Sequence, residues 1–185
     1  IELTSSIALS DQVTIDSGKT IILDMNGETL SIGFSDSSKN LIVNNGTLTI
    51  TGDGTFDATE ATSYKGFINN YGTLTVENGT FQIADKAMTV HLRNQDGGKA
   101  VINGGTFSGG ATIVRSFEGS NTTITGGSFT NSVYPAVDVN GETLITGGIF
   151  TNTSCSRCDK QNWGYTVRSG VDNDPDAKLT ITPSS

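Results

Sequence analysis

The chain has 185 residues, of which 11 are Lys or Arg and 19 are Asp or Glu, so its formal net charge at pH 7 is -8. This acidic balance argues against nonspecific attraction to nucleic acid, and no run of about 18 apolar residues is present to insert into a membrane. The length suits one domain. The chain is rich in Thr, Val and Ile, with 23 Gly and only 3 Pro, a composition typical of short strands separated by tight turns.

In chain order, the first segment has several strand-like stretches but lacks the repeated phrase found further on. These stretches cover residues 7–9, 13–15, 18–27 and 30–32. The first coil of a solenoid is expected to be atypical, because its end must be protected against end-to-end pairing. We therefore predict that residues 1–34 form an amino-terminal cap and first coil, and that residues 35–185 form the remaining coils of one domain.

One phrase then recurs five times. Each copy holds an aliphatic residue, polar turn-forming residues, Gly, a small or β-branched residue, and Phe. The copies cover residues 50–56, 76–81, 102–107, 124–129 and 145–150. The glycines two positions before each Phe are 25, 26, 22 and 21 residues apart, which lies in the range of solenoid repeats.

Within one repeat the apolar residues alternate, as Leu48 and Ile50 do, which indicates strands rather than helices. A second strand-like segment precedes the phrase in each repeat. These segments cover residues 67–68, 88–90, 112–114, 136–137 and 165–167, and residues 178–182 predict a final strand. The pattern predicts an all-β parallel β-helix of about 21–26 residues per coil. The five Phe residues, 56, 81, 107, 129 and 150, should point inward and stack beside a file of Ile and Val.

The stretch GKTIILDMNGETLSI (18–32), with the repeats NNGTLTITGDGTF and NYGTLTVENGTF, resembles the right-handed β-helix repeat regions of large bacterial cell-surface proteins and adhesins. The resemblance covers almost the whole chain and implies a single-stranded right-handed parallel β-helix. It implies an extracellular module, cell-surface or secreted, that adjoins neighbouring domains in a longer chain. The opening residues, which lack Met and a signal sequence, fit that expectation. The proteins that the chain resembles share no fixed set of catalytic residues, and the resemblance implies no cofactor.

The two cysteines, Cys155 and Cys158, form a C-x-x-C pair in an insertion between strands. Neither a second Cys pair nor a His pair accompanies them, which argues against a full zinc site, and no other metal centre is predicted. A thioredoxin-like motif would need a strand-to-helix context. We therefore expect a small disulfide that closes an exposed loop in an oxidising compartment.

The same insertion carries Trp163 and Tyr165, which are candidates for contact with a sugar face or a protein partner. The alternative is that Trp163 covers the Phe150 end of the aromatic file, since large aromatic side chains are more often buried than displayed.

Aligning the second strands predicts a basic file of His91, Arg115 and Arg168 that faces water. The same alignment places Asn70 and Val139 in that file. Such a basic file on an acidic body is a candidate binding site for a carboxylate-bearing polymer. The alternative is that these arginines simply pair with nearby carboxylates, for which Glu118 and Asp138 are the candidates.

Asp172, Asp174 and Asp176 alternate near the carboxyl end. Oxygen-rich loops can hold calcium, but the Gly and the distant Glu of an EF-hand loop are missing, which favours a plain polar loop.

Three function classes are open. Right-handed β-helices resemble pectin lyases and polygalacturonases, yet their NTD, DD, GHG and RIK motifs are missing here, which disfavours an acidic-polysaccharide lyase or hydrolase. Ice binding is suggested by the Thr-x-Thr pairs at 47–49 and 73–75, but the equivalent later positions are not Thr. The sequence favours a non-catalytic surface module that binds a host glycan or protein and acts as a rigid spacer.

Overall fold

The computed structural model describes residues 1–34, 36, 38–60, 66–84, 89–131, 133–153, 166–170 and 177–182. In this part of the chain, 21 strands form three parallel sheets of seven strands each. Each coil contributes one strand to each sheet and pairs with the coils before and after it, giving a right-handed parallel β-helix. The predicted fold class is confirmed. The described residues hold no helix of the length and hydropathy needed to cross a bilayer.

The strands of the three sheets follow one another in rotation along the chain. Sheet 1 contains β1 (Ile7–Leu9), β4 (Thr29–Ile32), β7 (Thr55–Ala58), β10 (Thr80–Ile83), β13 (Thr106–Ser108), β16 (Ser128–Asn131) and β19 (Ile149–Asn152). Sheet 2 contains β2 (Val13–Ile15), β5 (Ile42–Asn44), β8 (Ile68–Asn70), β11 (Val90–Asn94), β14 (Thr112–Ser116), β17 (Val137–Val139) and β20 (Val167–Ser169). Sheet 3 contains β3 (Thr20–Asp24), β6 (Thr47–Thr51), β9 (Thr73–Val76), β12 (Lys99–Ile102), β15 (Asn121–Ile124), β18 (Glu142–Ile145) and β21 (Lys178–Ile181).

The predicted phenylalanine file is confirmed on the inner side of sheet 1. Phe56, Phe81, Phe107, Phe129 and Phe150 are paired in register from coil to coil. Their ring centroids are 4.7, 4.5, 5.0 and 4.7 Å apart in that order, with interplanar angles of 2° to 8°. The first four rings are buried, and the fifth is partly exposed at the end of the file. This continuous stack forms one wall of the narrow core.

Sheet 3 supplies the opposing aliphatic wall, because its alternate side chains point inward. Ile50, Val76, Ile102, Ile124 and Ile145 are paired in register and buried. The file of Ile and Val expected from the repeated phrase is therefore present. Contacts between adjacent coils join these side chains into one continuous hydrophobic core that runs along the rod.

The glycines of the repeated phrase turn the chain from sheet 3 into sheet 1. Gly105 has a φ of 98°, a conformation that side-chain-bearing residues rarely adopt. Gly54 lies outside that region, but a Cβ there would collide with the side chain of Met25 on the preceding coil. The position two residues before the Phe thus requires Gly in both coils. At Gly105 the reason is the backbone conformation, and at Gly54 it is close packing.

Buried asparagines close the corner between sheets 2 and 3. The amide of Asn44 donates from Nδ2 to Asn70 Oδ1 at 2.7 Å, and Asn70 donates in the same way to Asn94 at 2.8 Å. Asn94 in turn donates to Thr122 Oγ1 at 2.9 Å. Since each amide offers both donors and an acceptor, the ladder satisfies polar groups inside a thin core and fixes the corner of each coil to the next.

We predict that Phe81→Ala lowers the free energy of unfolding by about 3 to 5 kcal/mol, the usual cost of removing a buried aromatic ring. Phe81 is stacked on both sides, at 4.7 and 4.5 Å. Urea unfolding monitored by far-ultraviolet circular dichroism measures the change.

The matched control is Phe150→Ala, because Phe150 has a described stacking partner on one side only and is partly exposed. It should lose clearly less stability than Phe81→Ala. Equal losses for the two variants would contradict a stack whose interior rings contribute more than its end.

Candidate functional site

The outer side of sheet 2 carries a file of polar and charged side chains, one from each of five successive coils. In register order they are Asn69, Arg93, Arg115, Asp138 and Arg168. We call these five residues, with Tyr71, Gln95 and Phe117 beside them, the arginine face. The flanking residues come directly after the strands, and the backbone N–H of each is donated to the preceding coil.

Strand alternation points these arginines outward. In β11, Leu92 and Asn94 on either side of Arg93 are buried, whereas Arg93 is partly exposed. In β14, Val114 and Ser116 flank Arg115 in the same way. The buried neighbours anchor each arginine stem to the core, so the guanidinium groups have fixed starting points about 4.8 Å apart, the spacing of adjacent strands.

Asp138 is the carboxylate of this file, and it is only 6% exposed. It accepts hydrogen bonds from Arg168 Nε at 3.3 Å and from Arg168 Nη2 at 3.2 Å to each of its oxygens. Arg115 Nε lies 3.6 Å from Asp138 Oδ2, an ion pair without a hydrogen bond. The expected alternative of pairing with a nearby carboxylate is therefore correct for Arg168 and partly correct for Arg115.

Arg93 differs from the other two arginines. Among the described residues, no carboxylate lies within ion-pairing distance of it, and its buried Nε has no hydrogen-bond partner. Burial, and secondly the positive charge of Arg115, lower the pKa of the Arg93 guanidinium. It nevertheless stays charged at neutral pH, because an arginine pKa starts so high.

Phe117 holds the two neighbouring arginines together. Its ring centroid lies 5.5 Å from the Arg93 guanidinium carbon and 5.0 Å from that of Arg115. These distances fit cation–π contacts, which offset part of the repulsion between the two like charges.

Beside Arg93, on the side away from Asp138, lies a cluster of neutral polar groups. Gln95 donates from Nε2 to Asn69 Oδ1 at 2.6 Å, and Asn69 donates from Nδ2 to the Tyr71 hydroxyl at 3.3 Å. Tyr71 is 47% exposed. Around Arg93 and Arg115, the face thus combines two guanidinium groups, two amides and the accessible ring of Tyr71, which is a set that can bind an oxygen-rich anionic ligand.

The prediction that His91 faces water beside the arginines is wrong. His91 is 1% exposed, and its ring lies 5.4 Å from that of Phe67 and 5.9 Å from that of Phe107. By register it shares a file with Leu41, Phe67, Ile113 and Ala136, all buried. The first three residues of β11 and of β14 are all buried, so the alternation of inward and outward side chains does not hold at the start of these strands.

In two other coils, the predicted outward residue is wrong by one position. Asn70 belongs to the buried asparagine ladder and Val139 to the core, whereas Asn69 and Asp138 are the outward residues. Arg115 and Arg168 do face outward as expected. Arg93 and Phe117 are not among the residues predicted from the sequence. Arg93 lies 22 residues before Arg115, the same spacing as from Gly105 to Gly127, and this spacing is a signal that could have identified Arg93.

Several predicted residues lie outside the described part of the chain. They are Trp163 and Tyr165 of the insertion, the predicted disulfide pair Cys155 and Cys158, and the acidic series Asp172, Asp174 and Asp176. Among the residues that are described, no group of three or more His, Cys, Asp or Glu side chains could hold a metal ion.

Compared with known proteins, the chain matches no protein family, no curated protein and no solved structure. The geometry of the arginine face therefore carries the functional argument.

We predict that His91 makes the fold sensitive to acid. Burial lowers the pKa of His91 to about 4 from an ordinary value of 6.5, and the Gly109 carbonyl, 3.2 Å from Nε2, only partly opposes the shift. The unfolded chain then binds more protons than the folded chain between these values, so stability falls as pH drops from 6.5 to 4. The full loss is on the order of 3 kcal/mol, measured by urea unfolding at a series of pH values.

His91→Leu is the matched control, because it keeps a buried side chain in the same file but cannot bind a proton. As the pH falls, the native protein should lose stability relative to the variant. Any advantage in unfolding free energy that the native protein has at pH 7 should therefore shrink or reverse. A difference that stays constant from pH 7 to pH 4 would show that His91 does not carry the effect.

Proposed function

We propose that this chain is a non-catalytic, extracellular β-helix module of a bacterial surface or secreted protein, which binds a host glycan or protein and acts as a rigid spacer. The observation that carries the proposal is the arginine face: Arg93 and Arg115 lie side by side on a chain of net charge -8, and Arg93 has no carboxylate partner among the described residues. Two adjacent cations whose charges are not fully neutralised destabilise the folded chain unless an anionic ligand neutralises them.

Electrostatics support a binding role for this face in particular. An anionic ligand is repelled by most of an acidic surface, so a local basic site restricts where it can bind. The low exposure of Asp138 and its bonds to Arg168 also fix the local geometry before the ligand arrives. A site organised in advance loses less entropy on binding.

The spacer role rests on how the coils are joined. Stacked rings in sheet 1 and hydrogen-bonded asparagines at the corner after sheet 2 link successive coils at two points of the cross-section. Such a rod resists bending and holds its outer faces at a fixed distance from neighbouring domains.

The test compares two double variants that remove the same charge. Arg93→Gln with Arg115→Gln should weaken binding to a ligand identified on glycan and protein arrays by about tenfold or more, or roughly 1.4 kcal/mol. Lys19→Gln with Lys99→Gln, which changes exposed lysines at and near sheet 3, should leave binding nearly unchanged. If both pairs reduce binding equally, net charge rather than the arginine face governs it.

The catalytic alternative is tested with the same protein. Incubation with polygalacturonate and calcium should produce no unsaturated product, which would be seen by its ultraviolet absorbance. Product formation by the native protein would replace the binding proposal by a lyase.

A second candidate function, ice binding, is favoured by one observation on sheet 1. The pairs of threonines on sheet 3, Thr47 with Thr73 and Thr49 with Thr75, are in register but are followed by Lys99 and Val101. On the outer side of sheet 1, however, a hydroxyl file runs through five coils without interruption. Its members are Thr29, Thr55, Thr80, Thr106 and Ser128.

Thermal hysteresis measures this activity. The phenylalanine rings beneath sheet 1 are stacked nearly parallel, and the in-register pairing of this sheet presents one hydroxyl group per coil. If the file binds ice, Thr80→Tyr with Thr106→Tyr should abolish the hysteresis, whereas Thr49→Tyr with Thr75→Tyr should not. The native protein showing no hysteresis removes this candidate.

A further inference from the structure

We infer that the arginine face recognises an acidic sugar residue, with its anionic group held between Arg93 and Arg115 and its ring over the cluster of Asn69, Tyr71 and Gln95. This inference rests on the proposed binding function and names the class of ligand that the site accepts. The anionic group is a carboxylate or a sulfate ester, because both present coplanar or clustered oxygens to guanidinium donors.

The donors for the anion are the terminal nitrogens of the two arginines. Nε of Arg93 and Nε of Arg115 are both buried, so neither can contact a ligand directly. Within the described part of the chain, no hydrogen bond engages the Nη groups of these two residues. The contacts of both guanidinium groups with Phe117 are cation–π contacts, which occupy none of their hydrogen-bond donors.

Register explains why one anion can bind both arginines. Arg93 and Arg115 are paired across β11 and β14, about 4.8 Å apart along the rod. An oxyanion placed between them accepts from both and also relieves the like-charge repulsion that the shared Phe117 ring only partly offsets. The anion replaces the carboxylate that Arg93 lacks.

Asp138 sets one boundary of the site. Its negative charge lies on the coil after Arg115, and Arg168 occupies its oxygens. A ligand anion is therefore repelled from that end of the file and directed toward Arg93. A single anionic group, rather than a row of charges along the whole face, fits this distribution.

The other boundary selects a sugar over an acidic peptide. Next to Arg93, the amides of Gln95 and Asn69 and the hydroxyl of Tyr71 form one hydrogen-bonded cluster. Amides hydrogen-bond to ring hydroxyls, and the half-exposed Tyr71 ring packs against the C–H face of a sugar. Side chains of an acidic peptide would use the arginines but would leave this cluster without a partner.

The experiment is isothermal titration of the whole chain with four probes of similar length: an oligogalacturonate, a sulfated oligosaccharide, a neutral oligosaccharide and oligoglutamate. We expect binding of one or both anionic sugars, weakened by salt, and little binding of the other two. The first two probes distinguish a carboxylate from a sulfate.

Four variants locate the site. Arg93→Gln and Arg115→Gln should each weaken binding of the anionic sugar about tenfold. Tyr71→Ala should weaken it severalfold by removing the ring contact. Asp138→Asn should instead tighten binding, because it keeps the shape of the side chain while it removes the competing negative charge. Thermal melts followed by circular dichroism check that each variant is folded.

The outcomes separate this inference from the proposed function. Oligoglutamate binding as tightly as the anionic sugars, or equal binding of the neutral sugar, overturns the ligand class while a binding module remains. Binding that Arg93→Gln and Asp138→Asn leave unchanged overturns the site. Failure of the native chain to bind any probe or any array component overturns both.

Discussion

The structure depends on parallel, in-register pairing of each coil with the next. Because strand n pairs with strand n+3 throughout all three sheets, each paired strand residue lies beside its counterpart one coil away. Register decides the neighbours of a residue, whether these are phenylalanine rings at 4.5 to 5.0 Å or amide groups at 2.7 to 2.8 Å. Stability then comes from repeated contacts of the same kind between neighbouring coils.

The same constraint produces the arginine face. Arginines on adjacent coils cannot move apart as they could on a loop, since their stems are fixed by buried residues on either side. The chain offsets their repulsion with Phe117 and, one coil further, with Asp138. This compensation is incomplete at Arg93, and the anion binding that we propose rests on that uncompensated charge at a fixed position.

Some of these features could be read from the sequence and others could not. The phrase ending in Phe has constant internal spacing, so the inward direction of Phe107 and Ile102 followed from alternation alone. The segments before β11 and β17 vary in length, and nothing in them marks where pairing begins. A shift of one residue reverses the face of a strand, which is why Val139 was exchanged with Asp138. His91 was misplaced for a different reason, because Val90, His91 and Leu92 are buried in succession and strand alternation does not hold in the first half of β11.

A polar residue in a solenoid is therefore interpreted by its file rather than by its type. His91 in a file of Leu41, Phe67 and Ile113 is a neutral core residue, whereas a cation in the file of Arg93 and Arg115 faces solvent. The two residues are two positions apart in one strand and still belong to different environments. Because a rod of this kind holds each file in place, the selectivity of the binding that we propose would come from the charges and amides already arranged on the face.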